Sequence, residues 1–133
     1  MLRDDLKQLC KELEIESVPQ LNDQKYYPFR VGEELIAIRD LDPGIALQAQ
    51  ICLCPTKKRE DLFIYLMRAN LLGQGAGGAR IGLDPDEKFL TLSLGLPYEM
   101  NYQKFKETVE DFVNYLIYWR DEVKKFENAE SVY

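Results

Sequence analysis

The 133-residue chain contains no histidine, three cysteines and a single tryptophan. The absence of histidine excludes a Ser-His-Asp triad, a Cys-His pair and any metal site built on imidazole. An odd number of cysteines without a dense framework is typical of reduced thiols in a cytosol. Carboxylate pairs such as Asp84 and Asp86 are explained by turn roles. We therefore expect no catalytic residues, no cofactor and no metal, in a protein that is not an enzyme.

The chain also lacks a long apolar run and an excess of basic residues. No segment reaches transmembrane length, and the start, Met1 to Asp5, has no apolar core like that of a signal peptide. The net charge of −6 argues against nonspecific binding to nucleic acids or anionic membranes. With 46% hydrophobic and 30% charged residues, the composition is that of a folded protein, and the length predicts one domain over residues 1–133.

Hydrophobic periodicity and turn residues predict three helices and five strands. The predicted order is a helix over 2–14, strands over 25–31, 35–38 and 45–53, a helix over 62–72, strands over 79–83 and 90–94, and a helix from a cap at Asn101 to about residue 127. Pro28 cannot donate to a neighbouring strand, which places the first strand at an edge. Because short turns join the first three strands, we predict an α+β domain with an antiparallel, twisted sheet.

Two elements have apolar faces that their periodicity defines. Alternation in the third strand predicts that one face carries Ile45, Leu47, Ala49, Ile51 and Leu53. Helical spacing predicts that the last helix buries Phe105, Val109, Phe112, Val113, Leu116, Ile117 and Val123.

The helix over 62–72 has no obvious polar face. A helix that is apolar on two sides is buried on two sides, and a chain of this length has one modest core. We therefore predict that one side of this helix belongs to a second subunit. The predicted dimer interface comprises Phe63, Tyr65, Leu66, Met67, Leu71 and Ile81.

Gly73, Gly75 and Gly78 spell the G-x-G-x-x-G pattern of dinucleotide-binding loops. That pattern binds a pyrophosphate when a strand precedes it and a helix follows, whereas here a helix precedes and a strand follows. We therefore predict a helix end and a tight turn that bind no nucleotide. Cys52 and Cys54 could hold a metal only together with Cys10 and carboxylates, and we predict no metal there.

Asn70-Leu71-Leu72, the glycine-rich loop and the stretch from Gly78 to Asp84 together resemble the signature of the class I type III secretion chaperones. A further strand and a long helix bearing Trp119-Arg120 follow, as in that family. The resemblance implies a bacterial cytoplasmic dimer that keeps the N-terminal region of a secreted effector or gatekeeper protein extended without using ATP. It leaves open a homodimer or a heterodimer with another secretion chaperone.

The resemblance assigns client contacts only by position, because contact residues in the family follow no fixed motif. The candidate client-binding residues are Leu2, Leu6, Leu9, Phe29 and Ile36, which lie on the first helix and the first two strands. An edge strand can also accept a client strand. An alternative implied by the resemblance is a regulator that contacts RNA polymerase or a transcription regulator, without binding nucleic acid or membrane itself.

Overall fold

The structure, a computed structural model, describes residues 2–72 and 78–128, with only the backbone at positions 71 and 72. The elements in chain order are α1 (Leu2–Glu12), β1 (Tyr27–Val31), β2 (Glu34–Asp40), β3 (Ile45–Leu53), α2 (Arg59–Leu72), β4 (Arg80–Leu83), β5 (Phe89–Leu96) and α3 (Tyr102–Asn128). The predicted order and α+β class are confirmed. None of the described helices is long and apolar enough to cross a membrane.

The five strands form one antiparallel sheet in the order β1-β2-β3-β5-β4. β1 and β2 form a hairpin in which Val31 faces Glu34 across a two-residue turn that begins with Gly32 at φ +61°. At the β2–β3 turn, a Cβ on Gly44 would lie 2.0 Å from the carbonyl oxygen of Leu96, so only glycine fits there. Because β1 and β4 are the outermost strands in this order, they form the two edges of the sheet.

Helix α3 covers one face of the sheet. Its N-terminus is capped as predicted, because the Asn101 side-chain oxygen accepts a hydrogen bond from the backbone N–H of Lys104 at 2.8 Å. The fully buried side chains of α3 include Phe105, Phe112 and Leu116. Sheet residues such as Ile38, Leu47 and Leu92 belong to the same core as these helix residues.

Two of the predicted apolar positions are exposed instead. A β-bulge between Gln50 and Cys52 inserts one residue into β3, so the residues after it change faces. Leu53 is therefore 67% exposed, contrary to strict alternation. In α3, Ile117 lies at the margin of the apolar stripe and is 50% exposed, while Trp119 is buried on the opposite margin.

Arg120 connects α3 to the sheet where β2 and β3 separate. Pairing between these strands ends at Ala37 and Gln48. Beyond that point the Arg120 guanidinium forms an ion pair with Glu34 of β2, and its Nε donates a hydrogen bond to the carbonyl oxygen of Ile51 at 2.7 Å. One arginine thus binds one oxygen of the buried Glu34 carboxylate, whose Oε2 has no partner among the described residues, and the carbonyl of Ile51.

We expect Arg120→Met to lower the free energy of unfolding by roughly 1–3 kcal/mol, because it leaves the Glu34 carboxylate and the Ile51 carbonyl without their donor. Urea unfolding measures the change. Adding Glu34→Gln should recover part of the loss, because a neutral amide is less unfavourable when buried without a partner. Lys124→Met, on the exposed side of the same helix, is the matched control. An equal loss in the control would contradict this role.

Candidate protein-binding site

The end of α2 is fastened to the edge strand β4 by one side chain. The amide of Asn70 donates from Nδ2 to the carbonyl oxygen of Ile81 at 2.7 Å. Its Oδ1 accepts from the N–H of Ile81 at 2.8 Å. The asparagine thus makes the two bonds that a neighbouring strand would make, and it closes this edge of the sheet at Ile81.

An apolar hollow of about 240 Å³ lies between α2 and β4. We call it the α2–β4 hollow; its lining residues are Phe63, Leu66, Met67, Asn70, Ile81, Gly82, Leu83 and Leu90. Met67 at its rim is 68% exposed. Exposed methionines are common on surfaces that bind other proteins. The hollow brings together Phe63, Leu66, Met67 and Ile81 from the predicted dimer interface.

Tyr65 was assigned to the same interface, but the structure turns it toward α3. Its hydroxyl donates to the Glu122 carboxylate at 3.1 Å, and its ring stacks on Phe126 with centroids 5.9 Å apart. Burial, and then the bond to Glu122, raise the pKa of Tyr65 to about 12. Tyr65 therefore joins α2 to α3 within the chain. The side chain of Leu71, also assigned to the interface, lies outside the described residues.

At the other edge of the sheet, every second residue of β1 directs its backbone groups away from β2. Val31 and Glu34 close the two-residue turn and pair with each other, so the groups of Arg30 and Pro28 point outward. Pro28 has no N–H to lose there, which agrees with this alternation. Tyr26 has the same orientation, and Asn22 satisfies both its N–H and its carbonyl. Outside the β1–β2 pairing, no described group bonds the N–H or the carbonyl of Arg30.

A groove of about 720 Å³ lies beside this open part of β1. We call it the β1 groove; its lining residues are Ile15, Ser17, Val18, Pro19, Gln20, Pro28, Phe29, Arg30 and Gly32. One wall is the segment that links α1 to β1, and the other is the edge strand itself. Because neighbouring strands lie about 4.8 Å apart, an extended chain fits along this edge while its side chains contact the linking segment.

The five residues assigned to a client are core residues in this structure. Leu6, Leu9 and Ile36 are 0% exposed, Phe29 1% and Leu2 4%. Their spacing is that of an amphipathic helix and of a strand face, and both patterns fit burial inside the domain as well as contact with a partner. The assignment of client contacts to these side chains is therefore wrong for this conformation, although Phe29 lies at the bottom of the β1 groove.

A third depression, of about 300 Å³, has an acidic rim formed by Asp5, Asp40, Asp42 and Glu99. Burial raises the pKa of the Asp5 carboxyl above its usual value. Within the described ranges, no group of three histidine, cysteine, aspartate or glutamate residues could hold a metal ion. Residues 73–77 of the glycine loop lie outside the described part, so the absence of a nucleotide site remains a prediction.

Comparison with known proteins identifies the family to which this chain belongs. Residues 5–120 match the model of the Tir chaperone protein (CesT) family, and the chain belongs to that family. This confirms the resemblance seen between Asn70 and Asp84. A protein of Chlamydia pneumoniae is 27% identical over 122 residues, which cover 90% of this chain and 93% of that protein.

Solved structures of type III secretion chaperones share the fold. A chain of the HopA1–SchA chaperone–effector complex matches with a TM-score of 0.67 and 15% identity, covering 90% of this chain and 93% of that one. A chain of the heterodimeric ExoU–SpcU complex from the type III secretion system of Pseudomonas aeruginosa matches with a TM-score of 0.65 and 14% identity. The match covers 92% of this chain and 93% of that one. The structure of the Yersinia pestis type III secretion chaperone SycH in complex with a YscM2 fragment matches with a TM-score of 0.61 and 12% identity. The match covers 89% of this chain and 98% of that one.

We expect Asn70→Ala to destabilise the joint between α2 and β4, because it removes both bonds to Ile81. The loss in the free energy of unfolding should be roughly 1–3 kcal/mol. Hydrogen exchange provides the sharper measurement, since the amide of Ile81 should lose its protection while that of Leu92 in β5 keeps it. Asn114→Ala, at an exposed position of α3, is the matched control. Unchanged exchange at Ile81 would contradict the assignment.

Proposed function

We propose that this protein is a cytoplasmic secretion chaperone that keeps the N-terminal region of a secreted effector or gatekeeper protein extended. The observation that carries the proposal is the open edge of β1 at Arg30, which adjoins the β1 groove. A client strand added there would bond the unpaired N–H and carbonyl of Arg30 and place alternate side chains against the linking segment. The family membership and the chaperone–effector complexes among the structural neighbours support this reading.

Strand addition explains why the bound client would be extended rather than globular. An edge strand offers backbone groups at a spacing that an extended segment matches, so the client residues that bond this edge must be extended. The groove is lined by the half-buried Ile15 and Val18, whose apolar side chains suit apolar client side chains. Binding of this kind is an equilibrium between free and bound chains, so the proposed mechanism needs no ATP.

We further propose that the protein acts as a dimer through the α2–β4 hollow. Leu62 and Leu66 of α2 are buried in the core of the chain, while Met67 stays exposed beside the hollow. A second subunit that packs there would cover Met67 and fill the hollow with apolar atoms. A second copy of this chain and a related secretion chaperone are both suitable partners. None of the described surfaces favours RNA polymerase as a partner.

For the dimer, we expect Met67→Asp to convert it to a monomer, because a carboxylate would be buried without a partner in an apolar interface. Light scattering after size-exclusion chromatography measures the mass of the purified chain, alone and with a partner chaperone expressed from the same cells. Ile117→Asp changes a comparably exposed apolar residue on α3 and should leave the dimer intact. A wild-type chain that stays monomeric under both conditions would rule out the dimer.

For the client, two substitutions at one position separate the backbone from the side chain. Arg30→Pro removes the outward N–H and the charge, whereas Arg30→Gln removes the charge alone. If a client strand bonds this edge, the proline variant should bind about tenfold more weakly than the glutamine variant, since a lost bond near 1.4 kcal/mol is a factor of ten. Titration with the co-purified client, whose bound segment is located by hydrogen exchange, measures both. Equal affinities, or a client bound as a folded domain, would contradict strand addition.

A further inference from the structure

Most charges of α1 are separated onto two sides of the helix, although the exposed Asp4 lies beside the basic side. Arg3, Lys7 and Lys11 recur at intervals of four residues and are all exposed, so they form one basic stripe. Asp5 and Glu12 lie on the opposite side of the helix. Like charges at this spacing repel each other, so the pair of Arg3 and Lys7 weakens α1 slightly. Lys11, in the last turn, is favourable for the helix dipole.

Only the acidic side has partners within the chain. The Glu12 carboxylate accepts a hydrogen bond from the Tyr102 hydroxyl at 2.9 Å and pairs with the Lys106 ammonium at 3.0 Å. These two bonds lower the pKa of Glu12, with the Lys106 contact as the largest cause. By contrast, no described carboxylate lies within ion-pair distance of Arg3, Lys7 or Lys11.

Two of these cations, Arg3 and Lys7, line a hollow that adjoins the β1 groove. This basic hollow has a volume of about 420 Å³, and its lining residues are Arg3, Lys7, Val18, Pro19, Gln20, Leu21 and Tyr27. It shares Val18, Pro19 and Gln20 with the β1 groove, whose single charged lining residue is Arg30. No carboxylate lines either depression, although the chain as a whole carries a net charge of −6.

We propose that the client segment bound along β1 carries carboxylates next to its apolar residues, and that the basic hollow receives them. This inference rests on the proposed function and adds to it the chemical class of the client. The unpaired ammonium of Lys7 and guanidinium of Arg3 complement carboxylates, and charge complementarity of this kind selects one partner over another. The apolar lining and the adjoining strand edge fit a peptide. Among the described residues, Arg3, Lys7 and Arg30 are the only cations that line the two depressions. Three cations are too few to bind a nucleic acid, because that binding depends on neutralising many phosphates.

The test uses three synthetic peptides of equal length, in which every second position is valine or leucine in the same order. The intervening positions carry glutamate, glutamine or lysine. Net charge alone predicts that the acidic protein prefers the lysine peptide. The basic hollow predicts the reverse, with the glutamate peptide binding about tenfold more tightly than the lysine peptide in low salt. Fluorescence anisotropy of labelled peptides measures the three affinities.

Three double variants locate the effect, and two of them, the glutamate variants, have the same change in net charge. Arg3→Glu with Lys7→Glu should reverse the preference, and the milder Arg3→Gln with Lys7→Gln should abolish it. Lys88→Glu with Lys124→Glu, at exposed positions that line neither depression, should keep the preference for glutamate. Circular dichroism confirms that each variant is folded.

The outcomes separate this inference from the proposed function. Equal binding of all three peptides, or tighter binding of the lysine peptide, would overturn the charge preference while leaving strand addition in place. An equal shift in the Lys88/Lys124 control would overturn the basic hollow as its source. Displacement of the glutamate peptide by a single-stranded DNA oligonucleotide would assign the hollow to a nucleic acid. Failure of all three peptides to bind would count against the β1 groove itself.

Discussion

The packing of α3 across the sheet is the constraint on which the other elements depend. Its buried aromatic and aliphatic side chains close the core, and each further element is attached to its margins. Glu12 fastens α1 to its first turn through Tyr102 and Lys106. Tyr65 fastens α2 to its last turns through Glu122 and Phe126. Arg120 binds the sheet where β2 and β3 separate, through the Ile51 carbonyl and the Glu34 carboxylate.

The two edges of the sheet are treated differently, and this difference gives the molecule its surfaces. At β4, a side chain of the same domain occupies the outward groups of Ile81, and an apolar hollow remains beside the closed edge. At β1, Asn22 closes the edge only at Tyr26, and the groups of Arg30 stay open to an extended chain. Closed edges resist strand pairing while open ones invite it, so the two ends of the sheet suit two kinds of partner.

Much of the fold was predictable because its signals are local. The cap at Asn101 and the edge strand at Pro28 depend on residues close by in the sequence, and each occurs where the sequence analysis predicts it. The features that the sequence did not predict have physical causes of longer range. The bulge that exposes Leu53 depends on how β3 pairs with β5. The alternation of apolar residues within β3 alone cannot predict it. Tyr65 faces α3 because Glu122, fifty-seven positions further along, accepts its hydrogen bond.

The sequence by itself determined the class of fold, the absence of histidine chemistry and the resemblance to secretion chaperones, because composition, periodicity and turn residues are properties of neighbouring positions. Only the tertiary structure decided which apolar residues remain accessible. Leu6 and Met67 are both apolar helix residues, yet the first is 0% and the second 68% exposed. Periodicity identifies a face but not what covers it. Burial depends on which distant elements meet, and the residues assigned to a client lie in one core cluster with side chains of α3, the last element of the chain.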